Sequence, residues 1–221
     1  MAGWPPPIST TCNRCQSPWP RTVLLRGTWS TGAWTAAVAG RRPSRTSPPP
    51  WTWSPPGGKD RQPRGHRAVL HQGHSAGGNL AAWAASRGTN NTGEPGGAPA
   101  LGVKACFPMA GVYDLTLAED NKDRYMIPLM GGEPETYPDR YAMASPIKHL
   151  PTHHHFVCFH GQNDSVVPVA QAQTYLSAAQ SAGDNAEGVI LPDASHNSWT
   201  TEKSHPWQVA HDRILATMAG Q

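Results

Sequence analysis

The feature that most constrains this chain is the hexapeptide Gly73-His74-Ser75-Ala76-Gly77-Gly78, set between a short apolar run and a helix-like stretch. Upstream, Arg67-Ala68-Val69-Leu70 reads as a buried strand. Downstream, Asn79 to Arg87 places Leu80, Ala81, Ala84 and Ala85 on one helical face, and Gly88 is suited to be the left-handed residue that ends the helix. A Gly-x-Ser-x-Gly pentapeptide is weak information alone, because both residue types are common. Between a strand and a helix it is strong. A serine on such a turn is held in a strained backbone conformation with its hydroxyl exposed above the sheet, and the flanking glycines let the two elements pack closely. The helix start behind it offers backbone N–H groups to a developing oxyanion, with the Ala76 amide as the expected donor.

The rest of the chain after Arg67 continues the alternation of short apolar runs and helical patterns, the mark of a mostly parallel sheet with helices on both faces. Leu101 to Phe107, Phe156 to Phe159 and Val189 to Leu191 read as further strands. Val169 to Ala182 reads as a helix with Val169, Ala172, Leu176 and Ala179 aligned and Gly183 at its end. A last helix aligns Trp207, Ala210, Ile214 and Met218. The connection from Met109 to Pro146 is too irregular to assign.

A serine hydroxyl needs a base, and the base needs an orienting carboxylate. Asp164 lies just beyond the third strand, in Phe159-His160-Gly161-Gln162-Asn163-Asp164-Ser165, where strand ends present catalytic groups. Asp139 falls in the irregular connection and Asp184 at a helix end. His196 sits in the loop leaving the last strand, with His205 as its rival; His160 ends a strand and His211 lies within the terminal helix. The reading is therefore Ser75 as nucleophile, Asp164 as acid and His196 as base. The run His153-His154-His155 looks like a metal motif, but it precedes a buried strand without carboxylates close by in sequence, so a solvated loop is expected and no metal. Cys12 and Cys15 lack a second pair or a neighbouring histidine, and the four cysteines are too unevenly spaced for a disulfide scaffold.

Residues 1–66 differ in kind. They hold nine Lys or Arg against one acid, Asp60, a balance of +8, so the remainder carries −5 of the total +3. Six of the nine tryptophans fall there, among Pro, Arg, Ser and Gly, with neither strand nor helix period. Three accounts stand: a basic Pro-rich tail for nucleic acid or a partner domain, a disordered extension, or a GC-rich coding sequence read out of frame. Translating the other two frames separates the last from the rest. No run of eighteen apolar residues occurs and the start lacks the pattern of a secretory signal, so a cytoplasmic protein off the membrane is expected.

From about Arg67 to the C-terminus the chain resembles the α/β-hydrolase superfamily, in particular its small esterases, arylformamidases and dienelactone-hydrolase or prolyl-peptidase-like domains. The resemblance is carried by Gly-His-Ser-Ala-Gly-Gly at 73–78, Ala-Gly-Val-Tyr-Asp-Leu at 110–115, Tyr-Ala-Met-Ala-Ser-Pro at 141–146, His-Gly-Gln-Asn-Asp at 160–164, Val-Pro-Val-Ala-Gln at 167–171 and the His196 loop. It implies an α/β-hydrolase catalytic domain over 67–221, the triad Ser75, Asp164 and His196, a small acyl substrate and no cofactor. Esters come first as substrates, with N-formyl aryl amines as the alternative. One departure stands out: the His-Gly-Gly type loop that supplies a second oxyanion donor in many esterases does not occur in residues 1–66. A non-catalytic or truncated remnant, retained for binding through the basic segment, is the reading from a different class.

Overall fold

The computed structural model describes residues 23–24, 69–89, 102–120 and 125–219. Of residues 1–66, only Val23 and Leu24 fall within this set, so the readings of that segment and of Cys12 and Cys15 lie outside the described residues. The strands are β1 (Val23–Leu24), β2 (Val69–His74), β3 (Val103–Met109), β4 (His155–Gly161) and β5 (Ala186–Leu191). They pair in the order β1-β2-β3-β4-β5, every neighbour parallel. Helix α1 (Ala76–Ser86) follows β2. Three short helices, α2 (Leu115–Asp120), α3 (Met126–Met130) and α4 (Pro138–Ala144), lie between β3 and β4. Helix α5 (Ala170–Ser181) joins β4 to β5, and α6 (His205–Ala219) follows β5.

The central strands are apolar over Ala105–Phe107 of β3 and Phe156–Phe159 of β4 because both faces of the sheet are covered there. On β3 and β4, Cys106, Phe156 and Cys158 point into a cluster with Ala81, Ala82 and Ala85 of α1 and Ala172, Tyr175 and Ala179 of α5. The intervening Ala105, Phe107, Val157 and Phe159 point the other way, against Trp199 and Ala210 and Ile214 of α6. Right-handed crossovers along a sheet that grows in one direction put α1 and α5 on one face, leaving the other to α6. Cys106 and Cys158 are fully buried free thiols. Burial pushes both up, Cys158 to about 12, so they behave as small apolar residues rather than nucleophiles.

Several elements differ from their sequence limits. β2 runs on through Gly73 and His74, because His71 to His74 ladder with Cys106 to Met109 and the ladder overrides the low strand preference of glycine. Helix α1 does not stop at a left-handed Gly88 but tightens into a 3₁₀ turn at Arg87–Thr89. Its buried set is Gly78, Asn79, Ala81, Ala82, Trp83, Ala85 and Ser86, with Leu80 and Ala84 only partly covered. The reason is that α1 is flanked on a second side by the β3–β4 connection. Asn79 Nδ2 donates to Val112 O at 2.8 Å and to Ala144 O at 3.3 Å, and Trp83 Nε1 donates to Met143 O at 2.8 Å. That connection has its own small core of Leu115, Met126, Met130 and Tyr141 against Val167, which no period in the sequence announces. Gly183, at φ 88°, ends α5 as expected.

The histidine run is also built differently. His155 pairs with Glu187 of β5 at 2.8 Å, and His153 lies 3.9 Å from Asp184, carboxylates distant in sequence but adjacent across the sheet edge. His154 is buried rather than solvated. Among the described residues no group of three His, Cys, Asp or Glu is placed to hold a metal, and no helix is long and apolar enough to cross a membrane.

Two outcomes follow from this packing. Burial holds His154 down at about 4, against a raising pull from the Thr152 backbone. A histidine with a folded value below its unfolded 6.5 favours the native state fully above pH 6.5, and that contribution drains as pH falls toward 4. The loss is on the order of 3 kcal/mol at ~1.4 kcal/mol per tenfold change in proton affinity. Urea unfolding from pH 7.5 to 4 should show a shallower loss of stability in His154→Phe than in the unaltered protein, with the remaining loss coming in part from the buried His160 and the partly buried His71. Gly161 gives the second: a Cβ there would run into the carbonyl oxygen of Ala194. Gly161→Ala is expected to lower stability by about 1–3 kcal/mol, read as a drop in the urea midpoint.

Candidate active site

The C-terminal ends of β2, β4 and β5 converge on one group of side chains. Ser75 stands between β2 and α1 with φ 57° and ψ −124°, a conformation that costs an L-residue about 1–3 kcal/mol. Its backbone is held from both sides: the N–H donates to Met109 O of β3 at 2.9 Å, and the carbonyl accepts from Gly78 at 2.8 Å and Asn79 at 3.1 Å. The tightness of the turn falls on Gly73 and Gly78. A Cβ on Gly73 would meet the Gly77 carbonyl, and one on Gly78 would lie 3.0 Å from Gly111 Cα, whereas Gly77 itself has open space. The expectation that both glycines flanking the serine are sterically required thus holds for Gly73 and shifts from Gly77 to Gly78.

Asp164 reaches the same place from the turn after β4, with its side chain fully buried. Its Oδ1 accepts from the N–H groups of Val166 at 2.9 Å and Val167 at 2.8 Å, which fixes the plane of the carboxylate. Oδ2 faces His196 Nδ1 at 2.8 Å, and His196 Nε2 lies 2.9 Å from Ser75 Oγ. A carboxylate only accepts, so Nδ1 carries the proton and Nε2 is left to accept from the serine hydroxyl. Ser75, Asp164 and His196 are thus brought into one hydrogen-bonded line. The exposed Ala76 opens α1, and its amide is among those a helix cannot pair internally.

The loops that carry Asp164 and His196 are joined to each other. Gln162 N–H donates to Leu191 O at 2.8 Å, and Asn163 Nδ2 donates to Pro192 O at 2.7 Å. The backbone closes over Gly161, where only a glycine leaves room for Ala194. Beyond that crossing, Ser195 and Ser198 cap the 3₁₀ turn His196–Trp199, and the indole of Trp199 packs on Phe159 with centroids 5.8 Å apart.

The other sequence candidates stand elsewhere. Asp184 accepts from the N–H groups of Thr152 and His153 at 2.8 Å each, a structural tie. Asp139 is in the first turn of α4. His205 is exposed at the start of α6, and His211 is exposed and stacked on Trp207. His160 does more than end its strand: it is fully buried, donates through Nε2 to Val167 O at 2.9 Å, and lies 3.6 Å from Asp164 Oδ2. Burial holds it below the usual histidine range. His74, which the sequence does not mark, also touches His196: its Nε2 lies 2.7 Å from the His196 carbonyl oxygen. On the α6 face lies a cavity of about 660 Å³ walled by His74, Met109, Trp199, Trp207, Ile214 and Met218 among others; Ser75, Asp164 and His196 do not line it.

Residues 65–178, just over half of the chain, match the family BD-FAE. Among curated proteins, esterase LipQ of Mycobacterium tuberculosis is 36% identical over 132 residues, 56% of this chain and 31% of that protein. The probable carboxylic ester hydrolase LipM of the same organism is 37% identical over 111 residues, 47% of this chain and 26% of that protein. The chain thus spans about a third or less of the length of these curated relatives. Among solved structures, a truncated carbohydrate esterase from gut microbiota has a TM-score of 0.56 at 20% identity, covering 70% of this chain and 60% of that one. The butyrate-bound esterase Est2 of Thermogutta terrifontis has 0.54 at 19%, covering 69% and 56%. At these identities the structural likeness speaks for the fold alone, and that fold is an α/β-hydrolase. With the serine turn at the end of β2 and a family match over more than half its length, this chain belongs to the BD-FAE family of α/β-hydrolases.

Proposed function

We propose that this chain is a serine hydrolase that cleaves carboxylic esters through an acyl-enzyme. The observation that carries the reading is the unbroken line from Ser75 Oγ through His196 to Asp164, at 2.9 and 2.8 Å, on a strained turn at a helix N-terminus. The names borne by the two mycobacterial relatives point the same way.

In the first half-reaction Ser75 Oγ attacks the ester carbonyl while His196 Nε2 takes the hydroxyl proton. The carbonyl π electrons move to oxygen, and the Ala76 N–H meets the resulting oxyanion at the positive end of α1. Collapse expels the alcohol, which leaves with the proton held on His196. Water then repeats the sequence on the acyl-serine, giving the acid and free Ser75. Asp164 remains a hydrogen-bond acceptor throughout: it holds the imidazole in the tautomer that leaves Nε2 basic and steadies the imidazolium that forms.

A fluorophosphonate probe reacts only where nucleophile, base and oxyanion donors are assembled, so it is the direct test. The unaltered protein should label, and Ser75→Ala should not. A folded protein that stays unlabelled, or a Ser75→Ala variant that labels equally, overturns the reading. With an aryl acetate as substrate, Ser75→Ala and His196→Ala should each lower kcat by at least about 10⁴, and Asp164→Asn by about 10³–10⁴. Because the three act as a unit, the Ser75→Ala/His196→Ala double variant should be no slower than Ser75→Ala alone. Faster turnover of N-formylkynurenine than of any aryl ester would move the substrate class to N-formyl aryl amines with the triad unchanged.

A further inference from the structure

Resting on that reading of the site, we propose that His74 is a positioning residue for the base: it grips the backbone carbonyl of His196 and so sets where the imidazole stands relative to Ser75. His74 is the last residue of β2 and the immediate neighbour of Ser75. Its Nε2 lies 2.7 Å from His196 O, and the two rings are 4.7 Å apart at 51°. A carbonyl only accepts, so His74 Nε2 is the donor. The bond is to the backbone of His196, which leaves both nitrogens of the His196 ring to Asp164 and Ser75.

The need for such a grip comes from the sheet order. His196 leaves β5, three strands away from β2, and its loop must cross the ends of β4 and β3 to reach the serine. Over β4 the loop is tied through Leu191, Pro192 and Ala194 to Gln162 and Asn163. Those ties end at Ala194. Across the remaining gap, His74 connects the loop's backbone to the strand that bears the nucleophile. Since misplacing a catalytic group by about 1 Å can cost about 10²-fold in rate, a fixed backbone at position 196 has direct consequences for proton transfer. Partial burial keeps His74 below the usual histidine range, so it grips as a neutral ring and adds no positive charge beside the imidazolium formed during turnover.

Three variants separate the bond from the packing. In His74→Gln the side-chain amide N–H takes the place of the imidazole Nε2–H without the ring. His74→Phe keeps a ring without a donor, and His74→Ala removes both. We expect Phe and Ala to lower kcat roughly 10- to 100-fold with KM changed less than about twofold, and Gln to recover most of the loss. Hydrogen–deuterium exchange of the 194–199 segment should rise in Phe and Ala and return toward the unaltered level in Gln. A Phe variant as active and as protected as the unaltered protein overturns the proposal. So does a Gln variant no better than Ala while its melting temperature is unchanged. The exchange measurement needs no turnover. If the unaltered protein fails to label with fluorophosphonate, the hydrolase reading falls, and unchanged exchange in Phe and Ala would separately overturn the grip.

Discussion

The contact between the backbone of Gly73 and the carbonyl of Gly77 is where strand and helix are forced together, and the strained Ser75 sits inside that contact. A serine with φ 57° is unfavourable by about 1–3 kcal/mol and persists only when its surroundings over-determine it. Here they do. The Met109 carbonyl takes the Ser75 N–H, two helix amides take its carbonyl, and Gly78 lets α1 close against Gly111 at the end of β3. The strain is held by β2, β3 and α1 together, so the position of Ser75 is a property of the sheet rather than of the hexapeptide.

The sheet can hold that strain because both of its faces are covered. Phe156 and Cys158 face α1 and α5, while Phe107, Val157 and Phe159 face α6 and Trp199, which leaves β3 and β4 little freedom to shift. Parallel strands entering from the same end deliver their C-terminal loops to the same edge. That is the physical reason Ser75, Asp164 and His196, from three separate connections, meet there. The loops themselves are polar and short. They keep their shape through hydrogen bonds to one another, Asn163 to Pro192 and Asp164 to its own following amides, and through glycine at the one crossing too close for a side chain.

Buried and partly buried histidines recur around this core: His154 and His160, and to a lesser degree His71 and His74, are all held below the ordinary histidine range by loss of solvent. At neutral pH they serve as uncharged donors or space-fillers rather than as cations. This matters near Asp164, where a charged His160 at 3.6 Å would compete with His196 for the carboxylate. Kept neutral, it serves instead to close the 160–167 turn through Val167.

The parallel α/β architecture after Arg67 was legible in the sequence, because double-sided burial leaves short apolar runs at Phe156–Phe159 and Ala105–Phe107 that local pattern can recognise. The sequence also singled out Ser75, Asp164 and His196, since each lies in the connection that leaves a strand. It did not determine how far β2 extends, the fate of Gly88, or the small core formed by α2, α3 and α4, which depend on partners remote in sequence. The roles of His74 and His160 were decided by tertiary structure for the same reason. A histidine next to a serine or four residues before an aspartate carries no signal of its own. Only when β2, β4 and β5 lie side by side does the His74 ring meet a carbonyl 122 residues away, and only then is a neutral, buried imidazole distinguishable from a solvated one.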